Sequence, residues 1–152
     1  MSTAIATGST GKLRQAANAT IAALEAVPWT ILALPARAAG FAVFWRSGSV
    51  KLDDWQGTVA LFREEYRVPA LPPEFAAYLA TAVELGAAVL LLFGLLTRLS
   101  ALALLGLTLI IQVFVYPEAW PTHIQWLAFL LPLLARGPGD LSLDRALSSF
   151  LR

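Results

Sequence analysis

Two stretches of the chain are almost continuously apolar. Phe75 to Leu96 is broken by a single charge, Glu84, near its middle; Leu99 to Tyr116 carries none, and Gln112 is its strongest polar group. A hydrocarbon core of about 30 Å takes roughly 20 helical residues, so both read as membrane spans, about 75–96 and 99–116. The turn Leu96-Thr97-Arg98 joins them as a tight antiparallel hairpin. An earlier apolar stretch, Val27 to Trp45, holds one charge, Arg37, but is interrupted by Pro28 and Pro35. A helix that starts near Pro35, with the proline in its first turn where the missing N–H costs nothing, gives a span of about 35–51. The last stretch, Ile124 to Ala135, has Gln125 and Pro132 within it; it reaches spanning length as 121–137, or else it is re-entrant.

Between the first two spans the pattern changes. Leu52, Trp55, Val59, Phe62 and Tyr66 recur at spacings of 3, 4, 3 and 4, with Asp53, Asp54, Gln56, Thr58, Arg63, Glu64 and Glu65 on the other side. That is a helical stripe. It reads as an amphipathic helix lying in the membrane interface, or as a cap helix packed on the rest of the molecule. Val68 to Pro73 is an extended link. Residues 1–27, rich in Ala, Thr, Ser and Gly, read as a cytoplasmic segment, disordered at first and with a short amphipathic helix around Ala19 to Ala26. They lack the firm apolar run of a signal peptide. Residues 137–152 read as a second cytoplasmic tail. The expected fold is all-α: an integral membrane four-helix bundle over 28–136 with one additional interfacial amphipathic helix.

Composition sharpens this. Of 152 residues 58% are hydrophobic and 14% charged, against about 25% charged in an ordinary soluble domain. A globule of this size leaves too much surface exposed to hide that excess. The net charge of +1 and the absence of a basic tract exclude a nucleic-acid footprint. With no cysteine, disulfides, thiolate nucleophiles and Cys-ligated metal are excluded; with one histidine, so is a His-rich metal site. No metal and no covalent cofactor are expected.

The sign of the loops gives an orientation. Lys12, Arg14, Arg98, Arg136, Arg145 and Arg152 fall at one end; the 51–74 loop has three basic and five acidic residues, and the 116–123 loop has Glu118 and no Lys or Arg. The positive-inside rule then puts both termini in the cytoplasm.

Charges inside a span cost about 2.5 to 3.5 kcal/mol each on insertion scales and pair or line cavities. At 1.5 Å per residue, Glu84 lies roughly 16 Å below the outer interface and Arg46 roughly 12 Å, which makes Arg46–Glu84 the expected ion pair. Lys51, higher up, can bend its stem down to the same carboxylate. Arg46, Lys51, Glu84, Gln112, His123 and Gln125 are the candidates for one polar pocket in the outer half of the bundle. Arg37, near the cytoplasmic end, is expected to snorkel or to cap. Ala36-x-x-x-Gly40 and Ala82-x-x-x-Gly86 fit the small-xxx-small pattern of closely packed helices.

These residues carry a resemblance. Arg37-Ala-Ala-Gly-Phe-Ala-Val-Phe-Trp-Arg-Ser-Gly-Ser-Val-Lys51 and Leu61-Phe-Arg-Glu-Glu-Tyr-Arg-Val-Pro69 are similar to signatures of the DoxX family. So are Glu84-Leu85 with Leu92-Phe-Gly-Leu-Leu-Thr-Arg98, Val115-Tyr-Pro117 with Trp120-Pro-Thr-His123, and Arg136-Gly-Pro-Gly-Asp-Leu-Ser-Leu-Asp144. The resemblance covers about residues 35–147. It implies a four-span bacterial inner-membrane protein tied to redox or stress physiology. Some relatives are subunits of a quinone-reducing thiosulfate oxidoreductase, others associate with thiol or superoxide defence proteins, and others accompany metal-stress peptides. The positions it marks are Arg46, Lys51, Glu84 and His123.

Two functions follow as expectations. One is a membrane redox subunit that binds a quinone or small anion in the outer pocket, alongside a protein partner or a second copy of the chain. The other is a non-catalytic scaffold that anchors a soluble partner through the Leu52–Tyr66 helix and the Gly137–Leu147 tail.

Overall fold

A computed structural model describes residues 4–150, the first seven of them by backbone alone. Among the described residues there are seven α-helices and no strand. They are α1 (Ala4–Glu25), α2 (Trp29–Asp53), α3 (Trp55–Leu61), α4 (Pro73–Phe93), α5 (Thr97–Ile110), α6 (Trp120–Arg136) and α7 (Leu143–Phe150). Two π-helical turns, Phe62–Tyr66 and Ile111–Val115, extend α3 and α5.

The fold class is all-α, as expected. Two helical segments are long and apolar enough to cross a membrane, Pro73–Phe93 and Thr97–Val115. A third candidate is the pair Gly11–Glu25 and Trp29–Asp53, bent by 61° at its break. Leu79, Phe93, Leu99, Leu102, Leu109, Val113, Ile124 and Leu131 are exposed, an outward apolar face suited to lipid rather than water.

Several boundaries differ from the expected ones. The first helix begins at Ala4 rather than around Ala19. Its alanines carry the highest helix propensity and offset Gly8 and Gly11. The next helix starts at Trp29, so Pro35 lies inside it and not in its first turn. The extra turn is held from outside: Trp29 Nε1 donates to Gly137 O at 3.0 Å. Thr30 Oγ1 donates to Asp140 Oδ2 at 3.0 Å and accepts from Asp140 N at 2.9 Å. The Arg136 guanidinium lies 5.3 Å above the Trp29 ring. Those contacts offset the hydrogen bond that Pro35 removes. The last apolar helix, α6, is continuous through Pro132. Its 17 residues measure about 25 Å.

The Leu52–Tyr66 stripe is not one interfacial helix. Leu52 lies in the last turn of α2 and is exposed; the chain breaks at Asp54, whose carboxylate caps α3 by accepting from Gly57 N at 2.9 Å. Val59 and Phe62 then bury against Ala76, Ala77 and Ala80 of α4, and the Trp55 and Tyr78 rings meet at 4.3 Å. The apolar face is used inside the molecule, as a cap helix on α4.

Packing runs α2 to α4, α4 to α5, α5 to α6 and α6 back to α2. On α2 the buried face is Ala33, Arg37, Gly40, Phe44 and Gly48, a helical period of small and aromatic residues. It meets a face of α4 that includes Glu84, Ala87, Ala88 and Leu91. A Cβ on Gly48 would fall 2.7 Å from Leu85 and 3.3 Å from Glu84 Cβ, so the two helices touch there. Gly40 packs in the same way against Leu91 and Phe129, whereas Ala82 and Gly86 are exposed and join no helix pair.

At the other end Arg37 is buried and caps, as one of its expected roles had it. Its Nε donates to Leu91 O at 2.9 Å, Nη2 to Leu92 O, and Nη1 to Leu141 O at 2.6 Å and Pro138 O at 3.4 Å. The last carbonyls of α4 therefore share one guanidinium with the 138–141 loop. Asp144 completes the joint. Its carboxylate accepts from Leu96 N at 2.7 Å and Thr97 N at 3.0 Å, acting as an N-cap for α5.

Candidate functional site

The close approach at Gly48 fixes what faces Glu84. Ser47 and Lys51, one turn apart on α2, both point at the carboxylate. Lys51 Nζ lies 2.8 Å from Glu84 Oε2 and 3.0 Å from Oε1, and also donates to Ser47 Oγ at 3.0 Å. Ser47 Oγ in turn donates to Glu84 Oε1 at 3.2 Å. The expected Arg46–Glu84 pair is thus replaced by Lys51–Glu84. Arg46, five residues before Lys51, is exposed on another side of α2 and lines a neighbouring cleft with Val43, Val50 and Leu61.

The pair opens on a cavity of about 150 Å³ between α2, α4, α5 and α6. Its polar side chains are Ser47, Lys51, Glu84, His123, Tyr66 and Tyr116; the rest of the wall is apolar, with Phe62, Leu107, Ile111 and Trp126. Of the six expected pocket residues, Lys51, Glu84 and His123 line it. Gln112 stands behind His123, with Oε1 at 2.6 Å from His123 Nδ1 and Nε2 donating to Pro117 O at 2.7 Å. Gln125 is exposed and bonds its own helix at Pro121 O, so it and Arg46 are outside the cavity.

The Gln112 contacts fix the imidazole tautomer. Pro117 O can only accept, so the amide nitrogen must face it, and Oε1 must face the ring. Nδ1 therefore carries the proton, and Nε2 is left as an acceptor in the neutral ring. The rings of His123 and Trp126 lie 4.9 Å apart.

One rim of the cavity is formed by the first π-helical turn and the residue that follows the second. Tyr116 OH donates to Glu65 Oε1 at 3.1 Å and lies 3.2 Å from Tyr66 OH. The bond to Tyr66, burial and the Glu65 charge together push the Tyr116 phenol above its ordinary range. π-Helical turns are uncommon and cluster at functional sites; here they aim Phe62 and Tyr66 from one side, and Ile111 and Val115 from the other, at one cavity. Sequence reasoning missed Ser47, Tyr66, Tyr116 and Trp126 as site residues. Ser47 was readable as the residue one turn before Lys51; the π-helical turns have no comparable signal.

Among the described residues no three of His, Asp and Glu come together as a metal-binding group. The segments expected as docking surfaces, Leu52–Tyr66 and Gly137–Leu147, both make contacts within the chain, to α4 and to Arg37.

A family model described as DoxX matches residues 32–117. That range takes in Lys51, Glu84 and Gln112, with His123 and the Asp144 cap beyond it. No curated protein and no solved structure matches the chain.

Proposed function

The chain belongs to the DoxX family, and from that premise we propose that this membrane protein is a subunit of a redox or stress-defence system that binds a quinone ring in the Lys51–Glu84–His123 cavity. The observation that carries the reading is the pairing of a mostly apolar wall with two kinds of polar group at its ends. One is a neutralised ion pair, the other an imidazole whose Nε2 is an acceptor. Phe62 and Trp126 give the wall aromatic surface for a planar ring. Quinol hydroxyls meet acceptors at Nε2 and the Glu84 carboxylate. A small anion is the weaker candidate, because Glu84 already neutralises Lys51.

In this reading the chain handles protons and position, not electrons. Reducing a quinone to its quinol takes up two electrons and two protons. The protons pass by His123, and the electrons come from a redox partner subunit. We further propose the bacterial inner membrane, with four crossings, both termini cytoplasmic and the cavity in the outer half. The basic residues Lys12, Arg14, Arg98, Arg136 and Arg145 support that orientation.

The test is a titration of the purified protein with a water-soluble benzoquinone, followed by tryptophan fluorescence. Saturable binding is expected, about tenfold weaker in His123→Ala through loss of one good hydrogen bond in a dry site, and unchanged in Arg46→Ala. No saturable binding to the unaltered chain overturns the reading.

A further inference from the structure

The cavity has a second wall that the reading above does not use. Between α4 and α5 runs a groove of about 310 Å³, floored by Ala76 and Ala80 and flanked by Leu79, Val83, Ala103 and Gly106. No polar side chain lines it. It shares Phe62, Val68, Ala80, Leu107 and Ile110 with the cavity, so the two are contiguous. Its outer side lies on the two most apolar helices, where Leu79, Ala103, Gly106 and Ile110 are exposed. A Cβ at Gly106 would meet nothing within 4 Å: the space over the groove is open.

Three observations bear on what occupies it. The Tyr66–Tyr116–Glu65 hydrogen bonds cross one mouth of the cavity, whereas the groove opens on the exposed face of the two most apolar helices. The cavity alone, at about 150 Å³, is small beside the ~300–1,000 Å³ usual for ligand pockets; counted with the groove it enters that range. The groove is also lined by apolar residues alone, a surface for a hydrocarbon chain rather than for a second polar ring.

Resting on the quinone reading, we infer that the α4–α5 groove holds the hydrocarbon tail of the ligand whose ring sits in the cavity. The ligand is then a membrane-dissolved amphiphile that enters sideways between α4 and α5. Ring specificity lies with Lys51, Glu84 and His123; tail contacts come from Ala80, Val83, Ala103 and Gly106.

The experiment compares a benzoquinone bearing a decyl tail with the same ring lacking it, on the full chain in lipid nanodiscs. The variants are Gly106→Phe, which fills the groove from an open position, and Gly86→Phe, equally open but on a face that lines neither space. Gly106→Phe is expected to weaken the tailed compound about tenfold through lost carbon contacts, to leave the tailless ring unchanged, and Gly86→Phe to change neither. If both compounds bind the unaltered chain and Gly106→Phe does not separate them, the groove inference is overturned while the cavity reading stands. If neither compound binds, the cavity reading itself fails, and the inference with it. A Gly106→Phe protein whose oligomeric mass shifts while tail discrimination is kept marks the groove as a contact between copies, and also overturns the inference.

Discussion

Lys51 Nζ sits 2.8 Å from Glu84 Oε2, with side-chain exposures of 17% and 2%. The cation keeps a path to solvent; the carboxylate does not. Removing Lys51 therefore leaves a buried charge with only Ser47 to bond it. Lys51→Met is expected to cost about 3–5 kcal/mol, and Lys51→Met combined with Glu84→Leu much less, because both desolvation costs go with the charges. Thermal unfolding in detergent measures both. A double variant as unstable as the single one would show that the pair holds more than itself.

The helix contact that creates this pair gives a sharper contrast. Gly48 lies 2.7 Å from Leu85 once a Cβ is added, and Gly86 has nothing within 4 Å. Gly48→Ala must displace the Leu85 side chain or push α2 away from α4, and is expected to destabilise by about 1–3 kcal/mol. Gly86→Ala should be neutral or stabilise by up to about 1 kcal/mol through helix propensity. Equal effects at the two sites would refute the close approach.

These two residues also mark what the sequence could convey. Glu84 was legible because a charge in an apolar span is conspicuous, and its depth follows from counting residues. Its partner was not legible. Arg46 and Lys51 lie five positions apart, about 140° around a helix, and depth does not tell which face meets α4. Gly48 held that information, but the small-xxx-small pattern marked Ala36-x-x-x-Gly40 and Ala82-x-x-x-Gly86 and passed it by. The long-range joints were beyond reach for another reason. Asp144 caps a helix 47 residues earlier in the chain, and no local pattern encodes a cap supplied from so far away.

That remote cap can be tested by itself. Asp144→Ala removes both acceptors for Leu96 N and Thr97 N, and is expected to cost about 1–2 kcal/mol, the range of a lost N-cap. Asp144→Asn keeps one acceptor and should fall between. Limited proteolysis should then cut the 94–97 turn faster in the order Ala, Asn, wild type. Cutting that is the same in all three would remove the cap from the account.

Arg37 tests the same joint from the α2 side. Its four donors reach carbonyls on two segments that a point-like ammonium cannot span. Arg37→Lys should therefore lose about 2–3 kcal/mol, although the charge is kept. The tail after Gly137 should become protease-sensitive at the same time. A fully stable Arg37→Lys protein would mean that charge alone, not the guanidinium fork, holds the joint.

The rim predicts a pH response with a definite sign. The Tyr116 phenol is raised from 10.0 by the Tyr66 bond first, then by burial and by the Glu65 charge. The folded chain thus keeps a proton that the unfolded chain releases. The contribution is whole below about pH 10 and is lost as pH rises beyond it. The readout is the difference between the wild type and Tyr116→Phe, which has no proton to lose at that position. The wild type should lose stability more steeply above pH 10 than Tyr116→Phe. Parallel curves would leave the Tyr66–Tyr116 contact without energetic weight.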